Sequence, residues 1–340
     1  MKEKYIMLDQ PIVTTTKQPI ETYFPKNDDI FFDVQTLPLY GKGESPDDYE
    51  TYNQSNYYSA DTLVGTFRKD TKTFLGGTFQ TNGYTLVQNE DFFSPIEAQL
   101  YDYFNAETLG ALRIRDHVAY AGSVVAREYM FPNLKHEITT TSGHKSEIIF
   151  RIIGRNCFDG SSKLVVYYGN IDMFCMNGMI LGNFATHDAK RTSRFDLGNF
   201  INKVTTGIEQ SEYAVNQLQE YAQLNTTIPY VREFFERLRV SDRQLERLEQ
   251  QHLEEISVRG NNIWAVVSTL TNYASHVDGR FSTRSTKNDH ESATIYNRQA
   301  QVAKWLARTD SKGNKIAGGF DLLVEKSKDL PLNRQHRVLA

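Results

Sequence analysis

The sequence predicts an α+β protein: an antiparallel β-sheet with a prominent hairpin, packed on long helices, and a helical C-terminal half. Three observations carry this. Two β-rich runs between Ser146 and Cys175 meet at Asp159-Gly160, and Asp-Gly between β-branched runs is a strong short-range hairpin cue. From Tyr84 to Tyr168 the apolar pattern shortens toward strand periodicity. Beyond Phe195, apolar residues recur at three- and four-residue steps, the spacing of one helix face.

The bulk properties bound the rest. A chain of 340 residues can bury a sizeable core as one large domain or two smaller ones. Charged residues at 24% and hydrophobic ones at 39% are ordinary for a soluble globular protein. No apolar run approaches the ~18–20 residues needed to span a bilayer. The N-terminus lacks the pattern of a secretory signal, so a cytoplasmic location is expected. The two cysteines, Cys157 and Cys175, are expected to be reduced and mostly buried. A hairpin turning near residues 159–162 puts Cys157 opposite about position 164 and Cys175 opposite about 146, so the two do not meet.

In chain order, residues 1–60 read as a proline-rich acidic arm. They hold five of the nine prolines and ten acids against five bases, and prolines at this density oppose regular helix and central-strand pairing. An antiparallel sheet core is expected over 61–206. Tyr84–Gln88 reads as a strand. Ser94-Pro95 reads as a helix start, with Ser94 as N-cap, Pro95 at the first helical position and Glu97 completing a capping box. Strands follow within Val118–Phe131, around Leu134–Thr140 and at Glu147–Ile153, then in the two runs after the Asp159-Gly160 turn. A helical region packed on the sheet is expected over 207–310. Its pieces are a helix over Phe195–Leu224, one opened by Thr226-Thr227 ahead of Pro229, one with a capping box at Ser241 and Gln244, one over Asn261–His276, and a last one over Thr294–Ala307. Residues 311–340 read as a loosely held tail. No internal repeat is visible.

Candidate sites are few. The segment Thr186–Lys203 holds Lys190, Arg191, Arg194 and Lys203, flanked by Phe184 and Phe195. Bases just before a helix can direct guanidinium groups and helix N–H donors toward phosphates, and aromatic faces among bases suit unstacked nucleotides. The same residues also fit a solvated loop whose aromatics anchor it to the core. The loop Arg280–Arg298 adds Arg280, Arg284, Lys287 and Arg298, and fits a flexible linker as well as a phosphate-contacting loop. His187-Asp188 and Asp289-His290-Glu291 lack metal-ligand spacing, and neither a GxSxG elbow nor a P-loop occurs. No catalytic residues, metal or cofactor are therefore expected, and a binding role is expected rather than an enzyme.

Four pieces carry a resemblance: the hairpin Phe158–Met179, the charged segment after it, Asn262–His276, and Tyr84–Glu97. Together they resemble the phage- and plasmid-encoded family known as domain of unknown function 932. The matching elements are Asp159-Gly160-Ser161, Cys175-Met176-Asn177 (where the family pattern has Cys-Asn), Trp264, and the stretch Thr271, Tyr273 and His276. The resemblance implies a mobile-element origin and names no activity. A sheet and hairpin packed on a long helix, with bases where they meet, is also similar at fold level to Rad52-type single-strand annealing proteins of recombination.

The first functional expectation is thus a phage-encoded homo-oligomer that binds, and in one version anneals, single-stranded nucleic acid in the host cytoplasm. The net charge of −4 requires its bases to be concentrated in one groove. The alternative is a phage interaction protein that inhibits a host or defence protein. The acidic, tyrosine-rich stretch from Asp47 to Tyr58 would engage the partner.

Overall fold

A computed structural model describes residues 16–42, 57–173, 177–180, 186–189, 196–276, 287–307 and 319–330. It shows the expected α+β architecture. A short helix α1 (Ile20–Tyr23) precedes a three-stranded antiparallel sheet of β1 (Val34–Lys42), β2 (Tyr57–Arg68) and β3 (Phe74–Gln80). Pro38 lies within β1 opposite Val64, a placement that agrees with prolines opposing central-strand pairing. β1 is an edge strand, where a missing N–H breaks no central ladder, and the register shifts between Pro38 and Tyr40. Phe24, Ile30, Phe32 and Val34 from the same region are buried in the main core.

Tyr84–Gln88 forms no strand. It runs without strand pairing into helix α2 (Asn89–Tyr103), and the Gln88 amide replaces a strand partner by bonding both Val34 N–H (2.9 Å) and Val34 C=O (2.8 Å). The helix start expected at Ser94 is likewise corrected. α2 begins further upstream, at Asn89, and Pro95 sits inside it. The Asn89 side chain is what fixes this start: it donates to Ile30 C=O at 2.6 Å and accepts from buried Asn156 at 2.9 Å.

A short helix α3 (Ala106–Gly110) leads into the larger sheet, ordered β4 (Arg113–Ala119), β5 (Val124–Thr139), β6 (Lys145–Cys157), β7 (Leu164–Asp172) and β8 (Asn177–Ile180). β9 (Thr186–Ala189) pairs β7 alongside β8. The run read as Val118–Phe131 is broken by a turn at Tyr120-Ala121-Gly122, all three at positive φ, which folds β4 back onto β5. The Asp159-Gly160 hairpin forms as expected. Gly160 has φ +75°, Asp159 Oδ1 accepts from Ser161 N–H, and Arg155 pairs Val165. Cys157 is buried; Cys175 lies outside the described residues.

The second half is helical: α4 (Leu197–Ile201), α5 (Val204–Gln223), α6 (Ile228–Arg237), α7 (Asp242–Arg259), α8 (Ile263–Ser275), α9 (Lys287–Leu306) and α10 (Phe320–Lys328). Thr227 caps α6, and the Ser241–Gln244 capping box is present. The helix expected over Phe195–Leu224 is two, broken at Asn202-Lys203. α9 starts upstream of Thr294, at Lys287, and the tail holds α10, whose Phe320, Leu323 and Val324 are buried beside α6 and α5. No helix among the described residues is long and apolar enough to cross a membrane.

Alternation along the strands gives the large sheet two covered faces. Val125, Tyr129, Ile152, Val166 and Tyr168 meet Phe92, Phe93 and Ile96 of α2 and Val204 and Ile208 of α5. On the opposite face Ala126, Ile153, Val165 and Tyr167 meet Tyr296 and Ala303 of α9. The helices build a further core around Trp264, Phe234, Phe235 and Leu248.

One buried cluster ties the N-terminal region to this sheet. Arg127 Nη2 donates to Pro25 C=O at 2.6 Å, its Nε lies 3.2 Å from Glu97 Oε1, and Tyr129 Oη donates to the same oxygen at 2.9 Å. Asn27 reaches Asp116 at 3.0 Å. Burial pushes the Glu97 carboxyl up to about 7 despite the opposing pull of Arg127 and Tyr129. The folded protein thus holds a proton that the unfolded chain releases near 4.5, so this contribution is complete below pH 4.5 and is lost as pH rises through 7. Chemical denaturation of wild type and Glu97→Gln from about pH 4.5 to 8 checks this. Wild type should lose about 2–3 kcal/mol relative to the variant across that range.

Candidate nucleic-acid interface

Of the bases and aromatics expected to contact nucleic acid, Phe184, Lys190, Arg191, Arg194, Phe195, Arg280 and Arg284 lie outside the described residues. So do residues 47–50 and Tyr52 of the acidic stretch. Lys203 is exposed at the break between α4 and α5, and Lys287 is the first residue of α9. The chain enters the basic segment from Ala189, paired with Leu164, and leaves it at Asp196. Asp196 Oδ1 accepts from Asn199 N–H at 3.1 Å, so a carboxylate already occupies the start of α4, where the sequence suggests a phosphate.

The structure instead gathers polar and basic side chains between α7, α8 and α9. Gln244, Arg247, Gln251 and Glu254 project from one face of α7 at three- and four-residue steps. Asn272, Tyr273 and His276 come from the end of α8, and Arg298 from α9; the cleft between them has a volume of about 310 Å³. Tyr273 is held from several sides. The Arg298 guanidinium lies 5.0 Å over its ring, Arg298 Nη1 donates to its carbonyl at 3.3 Å, and Gln244 Nε2 donates to its hydroxyl at 3.1 Å. The Trp305 ring packs 6.0 Å away. Among the described residues, two arginines and a histidine line the cleft with one carboxylate, Glu254. In the sequence Arg298 reads only as a loop base and Tyr273 only as part of a pattern. Nothing local shows that the two meet.

The same end of α8 also grips the sheet. Ser275 Oγ accepts from Gly178 N–H at 2.9 Å and donates to Gly178 C=O at 3.4 Å. Beneath Gly178 lies a charged network on the sheet face that α9 covers. Arg151 Nη1 donates to Glu128 Oε1 at 2.6 Å and Arg151 Nη2 to Gln299 Oε1 at 2.6 Å. Arg115 Nε donates to Glu128 Oε2 at 2.8 Å, and Arg155 Nη1 donates to Asn297 Oδ1 at 2.7 Å. Burial opposes ionisation of Glu128, but Arg151, His117 and Arg115 outweigh it and hold the carboxyl far below the usual range.

Fold and site together define an α+β protein in which an antiparallel sheet, covered on both faces, carries a helical layer with a basic polar cleft. Residues 78–300 match the family described as Domain of unknown function (DUF932), and with more than half the chain covered the protein belongs to that family. No curated protein and no solved structure matches it.

The grip of α8 on β8 depends on the absence of a side chain at 178. A Cβ there would stand 2.5 Å from Arg151 Nη2 and 2.7 Å from Gln299 Nε2, both held in place by their own hydrogen bonds. Gly178→Ala should therefore destabilise the fold by about 1–3 kcal/mol, the usual cost of overpacking, as measured by urea denaturation.

Proposed function

We propose that this protein binds single-stranded nucleic acid, admitting a nucleotide to the cleft between α7, α8 and α9, and that it acts by binding rather than catalysis. The observation that carries this reading is the Arg298 guanidinium seated over Tyr273 in a cleft where bases outnumber acids. Arg298 and Arg247 supply the attraction for phosphate, the dominant source of affinity for any nucleic acid. The Arg298 guanidinium plane over Tyr273 suits stacking by an unpaired base, and Gln244, Gln251 and Asn272 carry the donors and acceptors that meet base edges. A volume of about 310 Å³ is at the small end for ligand pockets and suits one nucleotide rather than a duplex.

The setting that accompanies this reading is an oligomeric phage protein in the host cytoplasm. Exposed Leu37 on edge strand β1 and Phe74 on edge strand β3 of the small sheet support self-association. Because the molecule as a whole is negative, attraction is local and few phosphates are neutralised.

Fluorescence anisotropy with a labelled oligothymidylate tests the reading. Binding at low salt should weaken with a log–log slope of roughly −1 to −2, corresponding to two or three phosphates. Arg298→Ala should lower affinity about tenfold, the usual worth of a charged contact, with the circular dichroism spectrum unchanged. No measurable affinity for any single strand at low salt would reject the proposal.

A further inference from the structure

We infer that the sheet face beneath α9 is a second strand-binding surface, a row of arginines that α9 covers in the free protein and uncovers when single-stranded nucleic acid binds. The inference rests on the nucleic-acid reading above and extends it to a different face of the fold.

The buried arginines are not equivalent. Arg127 faces Glu97 and Asp116, and Arg259 faces Asp172 and Glu255. On the face under α9, buried Arg151 and Arg155 and half-exposed Arg115 have one carboxylate among the described residues, Glu128. Arg155, only 2% exposed, meets no carboxylate among the described residues; its partner is the neutral amide oxygen of Asn297. A guanidinium withdrawn from water and opposed only by a neutral acceptor is costly. Unfilled polar atoms accompany it: Arg151 Nε, Arg155 Nε and Tyr296 Oη are buried without hydrogen-bond partners. Water or phosphate oxygens would satisfy these atoms once α9 moved aside.

The attachment of α9 is also uneven. Over the arginines its described side chains contribute Tyr296, Ala300 and Ala303 to a small apolar cluster, with Asn297 and Gln299 bonding the guanidiniums. Its last turns are anchored separately, with Val302, Trp305 and Leu306 packed in the helical core. A helix whose contact with the sheet is a small apolar cluster plus amide–guanidinium bonds opens locally at lower free energy than its packed last turns, and pivots on them. The ligand class follows from spacing. Arg151 and Arg155 are four residues apart on β6, roughly 13 Å, with Arg115 two strands away at roughly 10 Å. Cations spread that far match successive phosphates of a strand better than one small anion.

The test combines oligothymidylate anisotropy with hydrogen exchange of α9. Asn297 is exposed, so Asn297→Ala is tolerable and removes the Arg155 partner. It should open α9 and raise affinity about five- to tenfold, because a larger fraction is binding-competent. Arg155→Met should lower affinity severalfold yet raise Tm, since it removes an uncompensated buried charge; a purely structural Arg155 would lower Tm and leave affinity alone. Bound strand should speed exchange over residues 287–297 of α9, on the N-terminal side of Arg298. Unchanged exchange there, or unchanged affinity in Arg155→Met, overturns the inference while leaving the cleft reading standing. Binding by Asn297→Ala but not by wild type would support the covered surface and reject the cleft. Absence of binding by both would reject the two together.

Discussion

The ionised carboxylate of Glu128, fully enclosed between a sheet and a helix, is the constraint on which this architecture depends. β6 is buried on both faces, yet its sequence places Arg151 and Arg155 among its apolar residues. Those guanidiniums cannot reach water while α9 covers them, so neighbouring elements must supply acceptors. Glu128 on β5 provides the charge, and Gln299 and Asn297 on α9 provide amide oxygens. This fixes which strand lies beside β6, in which register, and where α9 crosses. Loss of one member of such a pair costs on the order of 3–5 kcal/mol, because the other is left charged and dry.

Two further clusters repeat the arrangement at other seams. Arg127 reaches the backbone of Pro25 and the carboxylate of Glu97, joining the N-terminal region and α2 to the sheet. Arg259 spans from Glu255 on its own helix to Asp172 at the end of β7, and thereby pins α7 to the sheet. With α7 fixed this way and α8 fixed through Ser275 and Gly178, two walls of the cleft stand on the rigid part of the fold. The third wall, α9, meets the sheet through Tyr296, Ala300 and Ala303 and through the amide–guanidinium contacts of Asn297 and Gln299.

Much of the local structure was legible in the sequence because its causes are local. Asp159-Gly160 marks its own turn, Thr227 and Pro229 open α6, and Ser241 with Gln244 opens α7. The misreadings share a different origin. Tyr84–Gln88 has the composition of a strand, but the Gln88 side chain takes up Val34, fifty-four residues away. Ser94-Pro95 resembles a helix start, yet Asn89 is held earlier by Ile30 and Asn156. Tyr120 and Ala121 at positive φ give no residue signal for the turn they make. The cleft was hidden for the same reason: Gln244, Tyr273 and Arg298 are brought together only by packing of three helices. Most of the basic segment singled out in the sequence lies outside the described residues.

The pairing of β7 has a bearing on solubility. All nine of its residues are buried and most are apolar, so as a bare sheet margin it would invite pairing with any extended chain nearby. Two four-residue strands from a single connection, β8 over residues 169–172 and β9 over residues 164–167, divide that margin between them. Strands so short present little template of their own. The segment joining the hairpin to the helices thus guards against aggregation simply by where its two ends are stitched.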